Sequence, residues 1–195
     1  MNKPFLFRSG PIHVGGLFFV ALALGATGCG ENIFDIKWTE ARVDTVLIYS
    51  LARPELNLPS GFDFLSRRGV ELHRPGATGV WDLALDTQDG QMVFLPPGAL
   101  DIVSDAMILP LPGEAFDDVI EAPKDSTLYT RDRAVTVETG TVYVLRTHRG
   151  ANRFGIPCSF YGKLQPLDVD PVLGTVRFMY DVSRLCDDRG LIPND

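Results

Sequence analysis

The chain has 195 residues, of which 45% are hydrophobic, and a formal net charge of −7; this is material for one domain with a real core and too little for two. An acidic surface repels phosphate backbones, which excludes a general nucleic-acid binder, and it equally argues against electrostatic adhesion to anionic lipid. Most of the 14 prolines lie between Pro54 and Pro193, which cuts the chain into short segments and argues against long helices.

In chain order, Lys3 and Arg8 form a positive n-region without acids, and the run from Leu17 to Ala26 is apolar and ends in small side chains. Charge, length and ending are those of a signal peptide. A bilayer span needs about 20 apolar residues, so the run is too short for a permanent helix. The tetrapeptide Ala26-Thr27-Gly28-Cys29 resembles the lipobox of bacterial lipoproteins, in which small residues precede a cysteine that is lipidated and becomes the mature N-terminus. The resemblance implies removal of residues 1–28, a lipid on Cys29, a tether over 29–37 and a single domain over 38–195. It places the chain in the bacterial cell envelope, anchored to the membrane through its N-terminal lipid. Gly30 after the cysteine implies outer-membrane sorting in a host with two membranes. Ordinary secretion is the competing reading, since the same small residues suit a standard signal peptidase; it would leave Cys29 as an unpaired exported thiol.

Thr45 to Leu51 is apolar on both faces and predicts a buried strand. Gly61 to Ser66, with Phe62 and Phe64 alternating, predicts another. Val80 to Asp86 and Gln91 to Leu95 flank a connection ending in Asp89-Gly90, a hairpin signal. Trp81, Leu83 and Leu85 then share an inward face, and Asp82, Ala84 and Asp86 an outward one. Ala99 to Leu109 fits neither period and predicts a helical turn or an irregular crossover. Phe116 to Glu121 predicts a strand, and Ala134 to Glu138 with Thr141 to Arg146 a second hairpin around Thr139-Gly140.

The last unit is the clearest. Ser159 to Val169 and Thr175 to Ser183 surround Asp170-Pro171-Val172-Leu173-Gly174, a turn composition. A turn centred on Val172 makes cross-strand partners whose numbers sum to 344: Leu164 with Tyr180, Gly162 with Val182, Pro166 with Phe178, Cys158 with Cys186. That register predicts a Cys158–Cys186 disulfide, chemically permitted outside the cytoplasm. A bulge at Pro166 would shift the pairing by one. Together these segments predict an all-β fold, an antiparallel β-sandwich with immunoglobulin-like topology in outline or, second, a barrel, with no more than short helical turns.

Chemistry is sparse. His73 and His148 have no second ligand at a metal spacing and read as surface or loop residues, so no metal is assigned. Asp82, Asp86 and Asp89, and Asp168 with Asp170, lack the calcium-loop ladder and read as solvated strand faces and turn caps. No nucleophile elbow, phosphate loop or dinucleotide fingerprint occurs, and no cofactor is implied. Arg131, Arg133, Arg146, Arg149 and Arg153 gather around the second predicted hairpin. Arg133 and Arg146, placed on neighbouring strands, are the expected contact for an anion or an acidic partner. The leading functional reading is a non-enzymatic envelope lipoprotein that binds another envelope protein. A glycan- or solute-binding module, marked by exposed aromatics such as Trp38 or Tyr161 around a concavity, is the alternative. A hydrolase using Asp82 and Asp86 comes third. A deep polar pocket favours the last two, a flat apolar patch the first.

Overall fold

The computed structural model describes residues 37–193; the leader, Cys29 and the tether up to residue 36 lie outside the described residues. Twelve strands appear among these: β1 (Asp44–Tyr49), β2 (Gly61–Asp63), β3 (Arg68–Val70), β4 (Leu83–Gln88), β5 (Gln91–Leu95), β6 (Met107–Leu111), β7 (Val135–Thr136), β8 (Val142–Arg146), β9 (Gly150–Ala151), β10 (Pro157–Cys158), β11 (Tyr161–Asp170) and β12 (Thr175–Val182). One sheet has the order β1-β12-β11-β8-β6, the other β3-β2-β4-β5-β7, and β9 and β10 form a separate ribbon. Every pairing is antiparallel and the two large sheets pack into an all-β sandwich. The helical content is two 3-10 turns, Pro97–Leu100 and Ser126–Leu128. No helix among the described residues is long and apolar enough to cross a membrane.

The β11–β12 hairpin forms in the expected register. Gly162 faces Val182, Leu164 faces Tyr180 and Pro166 faces Phe178; beyond a bulge between Pro166 and Asp168, Asp168 faces Arg177 and Val169 faces Val176. The extra residue is Leu167, so the sum of 344 holds up to Pro166 and becomes 345 after it. The β4–β5 hairpin closes on Asp89-Gly90, with φ of 51° and 78°. Positive φ at both positions is the type I′ turn whose twist matches the strands.

Between the sheets lies an aromatic core. Phe62 and Phe64 from the β2 segment, Phe94 from β5, and Phe178 and Tyr180 from β12 are all buried, with ring centroids 4.7 to 6.3 Å apart and mostly edge-to-face. That geometry sets the positive ring edges against negative faces and adds to the burial of large apolar area. Leu83, Leu85, Ile48, Leu164 and Val176 complete it.

Several expectations are corrected. Trp81 is buried, but it packs with Ala84, Val93 and Leu95 on the far face of its sheet and not with Leu83 and Leu85. β1 is an edge strand, bonded in its sheet to β12 alone; Ile48 is buried while Leu47 is 41% exposed. Apolar residues on both faces there do not signal a central strand. Phe116 to Glu121 forms no strand; only Glu121 makes an isolated bridge, to Gly190.

The second predicted hairpin is a crossover. β7 pairs with β5 in one sheet, whereas β8 pairs with β6 and β11 in the other. The chain changes sheets at Thr139-Gly140, and the Tyr143 hydroxyl ties the step by donating to the Thr136 carbonyl at 2.8 Å and accepting from the Glu138 N–H at 2.9 Å. β8 is buried on both faces. Its inner residues Tyr143 and Leu145 join the main core, and Val142 and Val144 are covered from outside by Phe116, Val119, Ala122 and Tyr129. Lys163, itself buried, pins that covering segment by donating from Nζ to the Phe116 and Val119 carbonyls at 2.6 and 2.9 Å.

Candidate functional site

One end of the sandwich concentrates charged side chains, in two adjacent groups. The first is buried. Asp63 ends β2, and its carboxylate accepts from the Leu65 and Ser66 N–H groups at 3.0 and 3.2 Å and from the Ser66 hydroxyl, which folds the turn leading to β3. Asp82, expected on a solvated face, is 4% exposed. It accepts from the Phe64 N–H at 2.8 Å, from the His148 N–H at 2.6 Å, and faces His148 Nδ1 at 2.7 Å. Asp82 leads into β4 and His148 follows β8, so this pair joins the two sheets. The Asp82 carboxylate, bonded to the ring, raises the His148 pKa above its ordinary 6.5, with Asp63 adding to the effect. His148 is thus a loop histidine, as read from the sequence, but half-buried and partnered, its side chain 15% exposed.

The ligand atoms of Asp63, Asp82 and His148 lie within 4.8 Å of one another. Their hydrogen bonds serve the fold: Nδ1 of His148 faces Asp82, and the carboxylate oxygens take backbone N–H groups. Bonds of this kind describe a structural rivet. Asp86, the other carboxylate of the hydrolase reading, is half-buried and accepts from the Thr87 N–H at 2.8 Å.

The second group is open. A cleft of about 520 Å³ lies beside the rivet, with Leu65, Phe160 and Val182 among its apolar walls and Arg42, Arg67, Arg153 and Arg184 around it. Five stretches meet here: the lead-in to β1, the β2–β3 turn, the β9–β10 ribbon, the start of β11 and the end of β12. Gly150 allows the closest approach, since a Cβ there would stand 2.4 Å from Leu65 Cδ1. Arg67 sits at the turn with φ of 55°, in the left-handed region. Its guanidinium lies 4.6 Å from the Tyr180 ring centroid and 3.5 Å from Asp181, and donates to the Arg42 carbonyl. Asp181 also accepts from the Arg42 N–H at 3.0 Å. Stacking plus ion pairing fixes the Arg67 fork in place. Arg153 rests over the Phe154 ring at 4.6 Å.

The disulfide braces one wall. Cys158 and Cys186 are bonded, with Cα atoms 5.7 Å apart. Beside them the Asp187 N–H donates to the Ser159 carbonyl at 2.9 Å, and the Asp187 carboxylate accepts from the Ser159 N–H at 3.1 Å. Phe160 and the Ser183–Arg184 stretch are thereby held side by side. Among the described residues, no carboxylate lies within ion-pairing distance of Arg42, Arg153 or Arg184. An acidic chain thus carries a local surplus of positive charge around a partly apolar hollow.

Arg133 and Arg146 do not lie on neighbouring strands. Arg133 is exposed in the loop before β7, whereas Arg146 ends β8 between Met107 and Tyr161. The crossover at Thr139-Gly140 puts β7, which follows Arg133, and β8, which Arg146 ends, in different sheets. Arg149 donates to the Pro157 carbonyl at 2.9 Å and lies 3.9 Å from Asp105. Of the arginines singled out in the sequence, Arg153 alone lines the cleft. Arg42, Arg67 and Arg184 come from distant parts of the chain, and no spacing announces them. Trp38 is no exposed platform: it is 2% exposed and donates from Nε1 to the Glu40 carbonyl at 2.7 Å. Tyr161 packs half-buried against the outer cluster on β8. No family model matches the chain, and no curated protein is significantly similar to it in sequence.

Proposed function

We propose that this chain is a lipid-anchored protein of the bacterial cell envelope whose β-sandwich captures a solute without transforming it. The anchor rests on the lipobox-like Ala26-Thr27-Gly28-Cys29, with Cys29 carrying the lipid and residues 29–37 as the tether. Several acyl chains, each contributing about 0.8 kcal/mol per buried CH₂, make such attachment durable. Gly30 supports the outer membrane as its destination in a host with two membranes.

The observation that carries the binding role is the cleft of about 520 Å³. Its volume lies within the range of small-molecule sites, and it combines apolar walls with a few convergent polar groups. It moves weight from the docking of another envelope protein on a flat apolar surface to the capture of a solute. Asp82, the carboxylate on which the hydrolase reading leaned, is closed off by its own hydrogen bonds.

Phenylglyoxal labelling tests the reading, because the reagent modifies accessible arginines. The membrane-extracted protein, labelled with and without an envelope extract, is expected to show protection of Arg67, Arg153 and Arg184 by the extract while Arg133 reacts equally in both. Equal labelling of all four removes the binding role. The intact mass of the extracted chain reports the anchor: acyl chains on a mature N-terminus at Cys29 support it, and an unmodified thiol there removes it.

A further inference from the structure

We infer that the cleft selects an amphiphilic anion, a carboxylate or phosphate head joined to an aliphatic body, and that Arg184 and Arg153 receive the head while Phe160, Leu65 and Val182 receive the body. The inference rests on the solute-binding reading of the same cleft and names the chemistry of its ligand.

Charge comes first. The chain is acidic overall, yet four arginines line one hollow, and among the described residues the carboxylate paired with any of them is Asp181, on Arg67. Converging cations repel one another, and an anion relieves that repulsion by accepting charge-assisted hydrogen bonds. Arg67 is already committed to Tyr180, Asp181 and the Arg42 carbonyl, so its role is to keep the site positive and rigid. Arg42 and Arg184 have no ion partner among the described residues, and Arg153 lies over the Phe154 ring without a carboxylate beside it.

The walls then discriminate among anions. Phe160 and Val182 are 8% and 7% exposed, and with Leu65 they belong to or pack against the main core. They are fixed apolar surface. An inorganic ion would satisfy the arginines and leave this surface wet; an aliphatic chain covers it and gains the transfer energy of each CH₂. A neutral sugar would leave the guanidinium groups unneutralised and set hydroxyls against carbon. Two sources supply the chemistry, a free carboxylate amphiphile and the anionic headgroup of a bilayer lipid.

The test uses the full lipidated protein in nanodiscs of neutral phosphatidylcholine, with empty discs as the blank, and isothermal titration with acetate, hexanoate, octanoate and octylammonium. Affinity is expected to rise about threefold to fourfold per added CH₂ from hexanoate to octanoate, with octylammonium failing to bind. Arg184→Glu and Arg153→Glu change exposed side chains; each is expected to weaken octanoate at least fivefold, roughly the loss of one charged contact at a wet rim. Arg133→Glu is expected to leave it unchanged. Nanodiscs containing phosphatidylglycerol separate the sources: loss of octanoate binding there assigns the headgroup, and retained binding assigns the free amphiphile, both within the inferred chemistry. Acetate binding as tightly as octanoate, octylammonium binding equally, or either reversal leaving octanoate unaffected overturns the inference. Protection of the arginines by envelope extract together with indifference to octanoate would spare the solute-binding reading and reject this ligand class.

Discussion

Two charged groups share one end of the sandwich and treat their charges in opposite ways. Around Asp63, Asp82 and His148 the carboxylates accept backbone N–H groups, the side chains are buried or half-buried, and the His148 bonds to Asp82 join the two sheets. At the same end, Arg42, Arg153 and Arg184 line an open cleft without a carboxylate partner among the described residues. The contrast separates architecture from recognition. Enclosed, satisfied charge is costly to disturb and contributes shape; open, unsatisfied charge contributes little to stability and is available to a ligand.

The comparison can be broken most severely at Asp82. Asp82→Ala removes the acceptor for two backbone N–H groups and an imidazole at once, leaving buried donors unpaired, and is expected to cost about 3 to 5 kcal/mol in denaturant unfolding. A loss below about 1 kcal/mol would show that the two sheets do not depend on the rivet. Next in size, Cys158→Ser with Cys186→Ser frees a loop of sequence separation 28, for which the loop-entropy relation gives roughly 3 to 4 kcal/mol. This variant should also expose the Phe160 wall, read as faster phenylglyoxal reaction at Arg184.

A pH titration sharpens the contrast further. The folded-state pKa of His148 is raised, by the bonded Asp82 carboxylate. The folded state therefore holds the proton more tightly than the unfolded chain, and the stabilisation is fully present below 6.5 and lost as pH rises through the raised value. Melting temperature should fall across that alkaline window in the parent chain, and His148→Asn should flatten the dependence. An unchanged slope in the variant would reassign the effect. The smallest expected effect lies on the other side of the comparison: Arg184→Ala is expected to stay within about 0.5 kcal/mol of the parent, while the same substitution lowers anion binding. If stability falls with it, the cleft arginines are structural after all.

Much of the fold could be read from local pattern because local pattern controls it. The β11–β12 register follows from a period of two on β12, from the Asp-Pro…Gly turn and from the two cysteines, and the bulge at Leu167 follows from Pro166, which cannot donate to a ladder. The hairpin at Asp89-Gly90 is equally local. Val135, Val137, Val142 and Val144 misled for a different reason: strands close in sequence that flank a Gly turn look like a hairpin whether or not they stay in one sheet. What decides the matter is the second buried face of β8, supplied by Phe116, Val119 and Tyr129 from a segment outside the strands. Asp82 looked outward because alternation places it there, yet β4 begins only at Leu83, so the alternation does not reach it. The cleft was the least readable part. Arg42, Arg67 and Arg184 meet through pairings across nearly the whole chain, and Arg67 gives no hint beyond a turn position at which its backbone takes a left-handed conformation.

The pairing of β1 with β12, in which Asp44 faces Tyr180 and Tyr49 faces Thr175, has a consequence for how the molecule comes into being. Among the described strands the first finds its hydrogen-bonding partner in the twelfth, so the larger sheet cannot close until β12 has been synthesised. Long-range closure of this kind is slow, because the entropy of the intervening loop is lost before the contacts repay it. Until β12 arrives, β1 is an unmatched edge with Leu47 and Ile48 exposed, a template for the wrong neighbour. On the lipid-anchored route proposed above, this delay would fall on the far side of the membrane, with β1 held close to its point of attachment.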